Sequence, residues 1–122
     1  MNLLSLFSGC GGMDIGFEGG FTCLKKTINT DIHPSWVSLE CGDWVKVATT
    51  IFKTVFANDI KPDAKAAWVS YFEKQNDNAN DIYHLDSIVD LVKRAKAGEN
   101  VFPPKIDVVT GGFPCQDFSV AG

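Results

Sequence analysis

Long apolar runs are missing from this chain. Its longest mainly apolar stretches, at residues 3–7 and 106–109, are four or five residues long. A helix crossing a bilayer needs about 20 such residues, so no membrane role is expected. The start, MNLLSLFSG, has no basic n-region, and Ser-Gly cuts its apolar stretch short, so it does not read as a secretory signal. A cytoplasmic location is the expectation. Paired metal ligands are missing too. Cys10, Cys23, Cys41 and Cys115 form no C-x-x-C pair, and neither His33 nor His84 stands at ligand spacing from any of them. That pattern argues against zinc, and in a cytoplasmic protein against a disulfide framework. Positive charge is short, with 11 Lys and Arg against 15 Asp and Glu, a net charge of −4 and a pI near 5.0. Phosphate neutralisation supplies most non-specific affinity for nucleic acid, so any such contact here must be local or must depend on a basic segment outside this sequence.

What is present reads as one domain. With 122 residues, 45% of them hydrophobic, the chain can close one core but not two. Three short apolar segments, β-branched or aromatic, end on turn residues: 3–7 into SGCGG, 52–57 into Asn58-Asp59, and 106–110 into GGFPC. Helical patterns lie between them. Ala64, Ala67, Trp68, Tyr71 and Phe72 share one face after the start signal Pro62-Asp63. Ile88, Leu91, Val92 and Ala95 share another, closed by Gly98. A shorter helix is expected after Gly12, with Met13 and Phe17 on one side. Residues 76–81 (NDNAND) read as a polar loop, and residues 22–51, which resist assignment and hold Trp36 and Trp44 in a polar setting, read as an insertion. Strands alternating with helices predict an α/β domain with a mainly parallel sheet.

Ligands bind such sheets at the carboxyl ends of the strands. At the first end, the Phe7-Ser8-Gly9-Cys10-Gly11-Gly12 turn lets backbone N–H groups approach a ligand closely. It does not spell the dinucleotide fingerprint G-x-G-x-x-G, because counting from Gly9 the last position is Asp14. That disfavours a nicotinamide-binding domain, while a purely structural tight turn stays open. At the second end, Asp59 is the type of residue that accepts hydrogen bonds from ribose hydroxyls. Asp31 competes with it, since Asn29-Thr30-Asp31-Ile32-His33-Pro34 echoes Asn58-Asp59-Ile60-Lys61-Pro62 and stands nearer the usual spacing from the glycines. Asp59 is preferred, having a β-rich run before it and an amphipathic helix after it. At the third end, Cys115 sits in a Gly-Gly-Phe-Pro turn with polar neighbours. A lone cysteine is more often a small buried hydrophobe than a nucleophile; its place after a strand favours the nucleophile.

Residues 6–12 (LFSGCGG) and 111–119 (GGFPCQDFS), with 56–62 (FANDIKP) between them, make the chain similar to the cytosine-C5 DNA methyltransferase family. The resemblance covers the chain except residues 22–51, and only the first part of the family's catalytic domain. It implies a Rossmann-like, S-adenosylmethionine-dependent methyltransferase fold with an incomplete sheet. Phe7, Ser8, Gly9, Cys10, Gly11 and Gly12 would cradle S-adenosylmethionine, with Pro114 nearby. Asp59 would take the ribose hydroxyls and Ile60 the adenine. Asp86 would accept from the adenine amino group, although a helix N-cap role is open for it. Cys115 would be the nucleophile, with Gln116 and Ser119 at the substrate. The implied chemistry is addition of the Cys115 thiolate to C6 of a cytosine flipped out of double-stranded DNA, attack of C5 on the methyl of the sulfonium, and loss of the C5 proton with the cysteine.

The family's later motifs and its target-recognition region have no counterpart here, so a fragment inactive alone is expected, with a C-terminal half on a separate chain as one way to complete it. Glu99-Asn100-Val101 spells a family motif that belongs after the cysteine, and here reads as a helix exit. A tRNA methyltransferase of the same chemistry and a non-catalytic cofactor-binding remnant are the rival readings.

Overall fold

The structure, a computed structural model, describes residues 1–113. Strands β1 (Asn2–Leu6), β5 (Lys53–Asp59), β6 (Tyr83–Leu85) and β7 (Val108–Gly111) form one four-stranded sheet in the order β6-β5-β1-β7. Each neighbouring pair is parallel. Among these four strands the chain moves outward from β1 through β5 to β6, then returns to the other side of β1 for β7. The sheet therefore switches direction between β1 and β7, and the crevice beyond their carboxyl ends is where such folds bind ligands.

Helices cover both faces. On one side α1 (Gly12–Glu18), α2 (Pro62–Phe72) and α3 (Ala79–Ile82) pack on the sheet, joining Ala57, Trp68, Phe72, Ala79 and Tyr83 in one buried cluster. On the other side α4 (Ile88–Lys96) places Leu91 against Leu4 and Phe56, with Val101, Phe102 and Ile106 at the margin. Alternation along β5 sends Phe56 to one cluster and Ala57 to the other, as the two-residue period of a strand requires. The α/β fold with a parallel sheet is the one expected from the strand and helix patterns.

Three local expectations need correction. The buried stripe of α2 is Ala64, Trp68 and Phe72, whereas Ala67 faces solvent. Ala67 sits beside that line as Tyr71 does, but only the long side chain of Tyr71 reaches the core. Val92 of α4 is likewise exposed. Residues 79–82, part of the expected polar loop, form the single turn α3, anchored by a fully buried Ala79. The C-terminal cap is as expected: Gly98 takes φ 96° just past α4 and donates its N–H to the Ala95 carbonyl.

Residues 22–51, read from the sequence as an insertion, hold a second, antiparallel sheet. Strands β2 (Thr22–Leu24), β3 (Val37–Cys41) and β4 (Trp44–Val47) pair in the order β2-β4-β3. Only Val45 of this sheet is fully buried. Val37-Ser38-Leu39-Glu40-Cys41 does alternate apolar and polar residues, but only over one short strand, and its apolar side chains stay largely exposed in place of forming a core face. A groove of about 900 Å³ lies between this sheet and α1, lined by Met13, Phe17, Phe21 and Trp36 among others. No helix of the described residues is long and apolar enough to cross a membrane.

Candidate functional site

The chain leaves β1 into a sharply folded loop. Phe7 takes φ 54°, Gly9 φ 53° and Gly11 φ 89°, and Phe7 is the one non-glycine residue with positive φ among the described residues. A left-handed aromatic residue is costly and persists where neighbours hold it. Here the Ser8 N–H donates to the Asn58 carbonyl at 2.8 Å, and the Ser8 hydroxyl accepts from the Asn58 N–H at 3.1 Å. The ends of β1 and β5 are thereby locked together directly below the glycines.

Asp59 is the second lock. Its Oδ2 accepts the Gly9 N–H at 3.0 Å, and its Oδ1 accepts the N–H groups of Ile60 and Lys61 at 2.7 and 3.1 Å. One carboxylate therefore folds its own turn into α2 and ties that turn to the glycine loop. Ile60 beside it is 66% exposed. An apolar side chain left in solvent at a strand end is available to a flat apolar ligand group. Asn58, fully buried, donates both amide hydrogens, to the carbonyls of His84 and Asp86 at 3.0 and 2.8 Å. The third strand end, with Asp86, is fastened to the same corner. Ser87, not Asp86, is the N-cap residue of α4, which removes the capping role left open for Asp86.

The loop rests on an aromatic floor. Trp68 donates its indole N–H to Asp14 Oδ2 at 2.7 Å, and both residues are buried. A Cβ at Gly11 would lie 2.6 Å from Trp68 Cδ1, so the ring lies directly under that backbone. Burial raises the Asp14 pKa above its ordinary value, while hydrogen bonds from Ser5 and Trp68 oppose the rise. Tyr83 donates its hydroxyl to the Gly9 carbonyl at 2.9 Å. On the outer side, a Cβ at Gly9 or Gly12 would meet nothing within 4 Å. The loop is thus supported from below and open above.

Phe7, Ser8, Gly9, Cys10, Gly11, Gly12, Asp59, Ile60 and Asp86 all lie at the carboxyl ends of β1, β5 and β6. Asp31 sits in an exposed turn between β2 and β3 and follows no strand of the parallel sheet. Glu99 pairs with Arg94 at 2.8 Å on the surface after α4, before β7 begins. Pro114, Cys115, Gln116 and Ser119 lie outside the described residues. Reading the sequence missed Asn58, Asp14, Trp68 and Tyr83 as supports of the loop. Asp14 carried one available signal, an acid on the buried side of a short helix; Trp68 and Tyr83 looked like ordinary core. No group of three or more His, Cys, Asp or Glu able to hold a metal occurs among the described residues.

A parallel sheet that switches direction at β1, with a glycine-rich loop and an acidic residue meeting at its strand ends, defines a Rossmann-like α/β domain. The family model for C-5 cytosine-specific DNA methylase matches residues 1–122, and the chain belongs to that family. It is 33% identical over 122 residues to the Type II methyltransferase M.BspRI of Lysinibacillus sphaericus, across 99% of this chain and 25% of the relative. It is 32% identical over 124 residues to M.BsuRI of Bacillus subtilis, across 100% of this chain and 24% of the relative. M.NgoPII of Neisseria gonorrhoeae is 29% identical over 122 residues, with 100% and 24% covered. The chain therefore spans about a quarter of the length of these curated relatives. No solved structure matches it at a significant level.

Proposed function

We propose that this chain is the cofactor-binding and nucleophile-bearing part of an enzyme that methylates C5 of cytosine in double-stranded DNA, with S-adenosylmethionine as the methyl donor. The observation that carries this reading is the Asp59 carboxylate bonded to the Gly9 N–H, in a chain of this family. A loop open above Gly9 and Gly12, with an acid and an exposed Ile60 at the next strand end, fits the methionine, ribose and adenine of that cofactor. Phe7, Ser8, Gly9, Cys10, Gly11 and Gly12 would hold the methionine end, with Pro114 beside it. Asp59 would hold the ribose, Ile60 the adenine ring and Asp86 its amino group. When bound, the cofactor supplies an electrophilic methyl on a sulfonium sulfur.

The chain's own chemistry is covalent. Cytosine C5 is a poor nucleophile, so the Cys115 thiolate adds to C6 and raises electron density at C5. Once C5 has taken the methyl group, loss of the C5 proton would expel the thiolate and restore the ring, which splits one hard step into two easier ones. Gln116 and Ser119 contact the target base or its strand. The base is flipped out of the duplex, because C6 cannot be reached inside the stack. A domain of net charge −4 needs a basic partner surface for this work. That surface comes from segments corresponding to the other three quarters of the relatives, on the same polypeptide or a separate one. The 1–122 unit alone transfers no methyl groups, and the complete enzyme works in the cytoplasm.

The test is labelled-methyl transfer from S-adenosylmethionine by the complete protein, offered duplex DNA and tRNA in parallel. Transfer to DNA that Cys115→Ser abolishes, Asp59→Ala weakens at the cofactor KM, and Asp31→Ala spares is the expected outcome. Undiminished transfer by Cys115→Ser, or transfer to tRNA in place of DNA, would overturn it.

A further inference from the structure

We propose that Tyr83 is a positioning residue for the cofactor: its buried hydroxyl fixes the Gly9 peptide and so sets cofactor affinity from beneath the loop. This rests on the reading of the glycine loop as the cofactor cradle. The two polar groups of Gly9 are held by two different strands. Its N–H goes to Asp59 at the end of β5, and its carbonyl accepts the hydroxyl of Tyr83 at the start of β6. Asp59 thus holds the Ser8–Gly9 peptide and Tyr83 the Gly9–Cys10 peptide, so the backbone on both sides of the Gly9 Cα is fixed and the direction of the loop is set before any ligand arrives.

The sheet is built to let the phenol reach that far. β6 is separated from β1 by β5, so Tyr83 must extend across the face of an intervening strand. Its register partner on β5 is Ala57, whose own partner on β1 is Ser5. Both are small and fully buried, so the row from Tyr83 through Ala57 to Ser5 leaves a lane for a ring. Trp68 closes the lane from above, its ring tilted against Tyr83 at 5.4 Å. Tyr83 is 1% exposed. Burial, with the nearby Asp59 and Asp14 carboxylates, pushes its pKa above the ordinary value of 10.0. The hydroxyl therefore stays protonated and keeps its proton for Gly9.

The experiment compares the complete protein with Tyr83→Phe, which removes one oxygen and keeps the ring, and with Ala57→Val, which keeps the hydroxyl but crowds its lane. Leu91→Ala is the control, since it loosens the hydrophobic cluster on the face of the sheet opposite Tyr83. S-adenosylhomocysteine affinity is measured by titration, and KM and kcat by methyl transfer. Tyr83→Phe should bind about 5- to 30-fold more weakly, the range for losing one buried hydrogen bond. Its KM for S-adenosylmethionine should rise while kcat and the DNA KM hold within about twofold, and Ala57→Val should follow it. Leu91→Ala should lower the melting temperature more and leave cofactor affinity unchanged. Wild-type affinity in Tyr83→Phe, or an equal loss in Leu91→Ala, would overturn the assignment. If the wild-type protein binds no S-adenosylhomocysteine, the cofactor reading itself fails and this inference with it. Amide exchange at Gly9 in the ligand-free protein separates the two failures. Faster exchange in Tyr83→Phe means that the hydroxyl does hold the loop and only the ligand was misread.

Discussion

Three glycines stand within four residues of the loop, yet the structure asks different things of each. Gly11 has φ 89°, and a Cβ there would lie 2.6 Å from Trp68 Cδ1 and 3.0 Å from Phe72 Cε2. Alanine at this position incurs about 1–2 kcal/mol for the left-handed backbone and about 1–3 kcal/mol for overpacking a ring that cannot retreat. Trp68 is pinned by its bond to Asp14 and stacked on Phe72 at 4.1 Å, so relaxation gives little back. Gly11→Ala should therefore destabilise by about 2–5 kcal/mol, a large part of a typical total of about 5–15. Gly9 has φ 53° with nothing near its Cβ position, so Gly9→Ala should lose only the backbone term, about 1–2 kcal/mol. Gly12 has neither problem and begins α1, so Gly12→Ala should be neutral or stabilising by up to about 1 kcal/mol. Urea unfolding of the three variants reads this order from the midpoints, provided the slopes agree. A Gly11→Ala protein as stable as Gly12→Ala would mean that Trp68 does not lie under the loop, and the account of the floor would fall.

Two further outcomes follow from the same cluster and its neighbours. Trp68→Phe keeps an aromatic ring but leaves the buried Asp14 carboxylate without its indole donor, at a loss of about 1–3 kcal/mol near neutral pH. Because the Asp14 pKa is already raised by burial, the stability it contributes is complete below 3.8 and lost as pH rises through the folded value. The Trp68→Phe deficit should then shrink as pH falls towards that range, and a pH-independent deficit would contradict it. His84 stacks on Phe56 at 4.3 Å, and burial lowers its pKa despite the opposing pull of Asp86. A lowered folded value means that the unfolded chain takes up the proton first. Its contribution is complete above 6.5 and is lost as pH drops through the window below. Melting temperatures at about pH 7.5 and about pH 5 should fall further apart in the wild type than in His84→Phe.

The turn residues at the ends of β1 and β5 are local signals and are legible as such. A glycine run after a strand and an acid ending the next strand each announce a strand end, because few other contexts tolerate them. The parallel sheet follows from alternating strand and helix periods, which depend only on which side chains are apolar. β5 and α4 were found this way, and so were Asp59 and Gly98. The antiparallel unit at 22–51 was not, because its strands are three to five residues long and bury little, so the alternation in Val37–Cys41 stands alone without a core face to confirm it.

Tertiary structure alone decided what supports the loop. Asp59 and Asp31 sit in nearly the same local sequence, and only the pairing of β1 with β5 brings one of them to Gly9. Asp14 reads as the residue that breaks a dinucleotide pattern, and becomes a buried hydrogen-bond partner only when α2 delivers Trp68 from 54 residues away. Tyr83 looks like any core aromatic until the small side chains of Ala57 and Ser5 line up beside it and let its hydroxyl reach the Gly9 carbonyl, 74 residues distant. Sequence fixes a residue's chemistry and its local period. Which buried polar groups find one another depends on strand order and register, and those are properties of the assembled sheet.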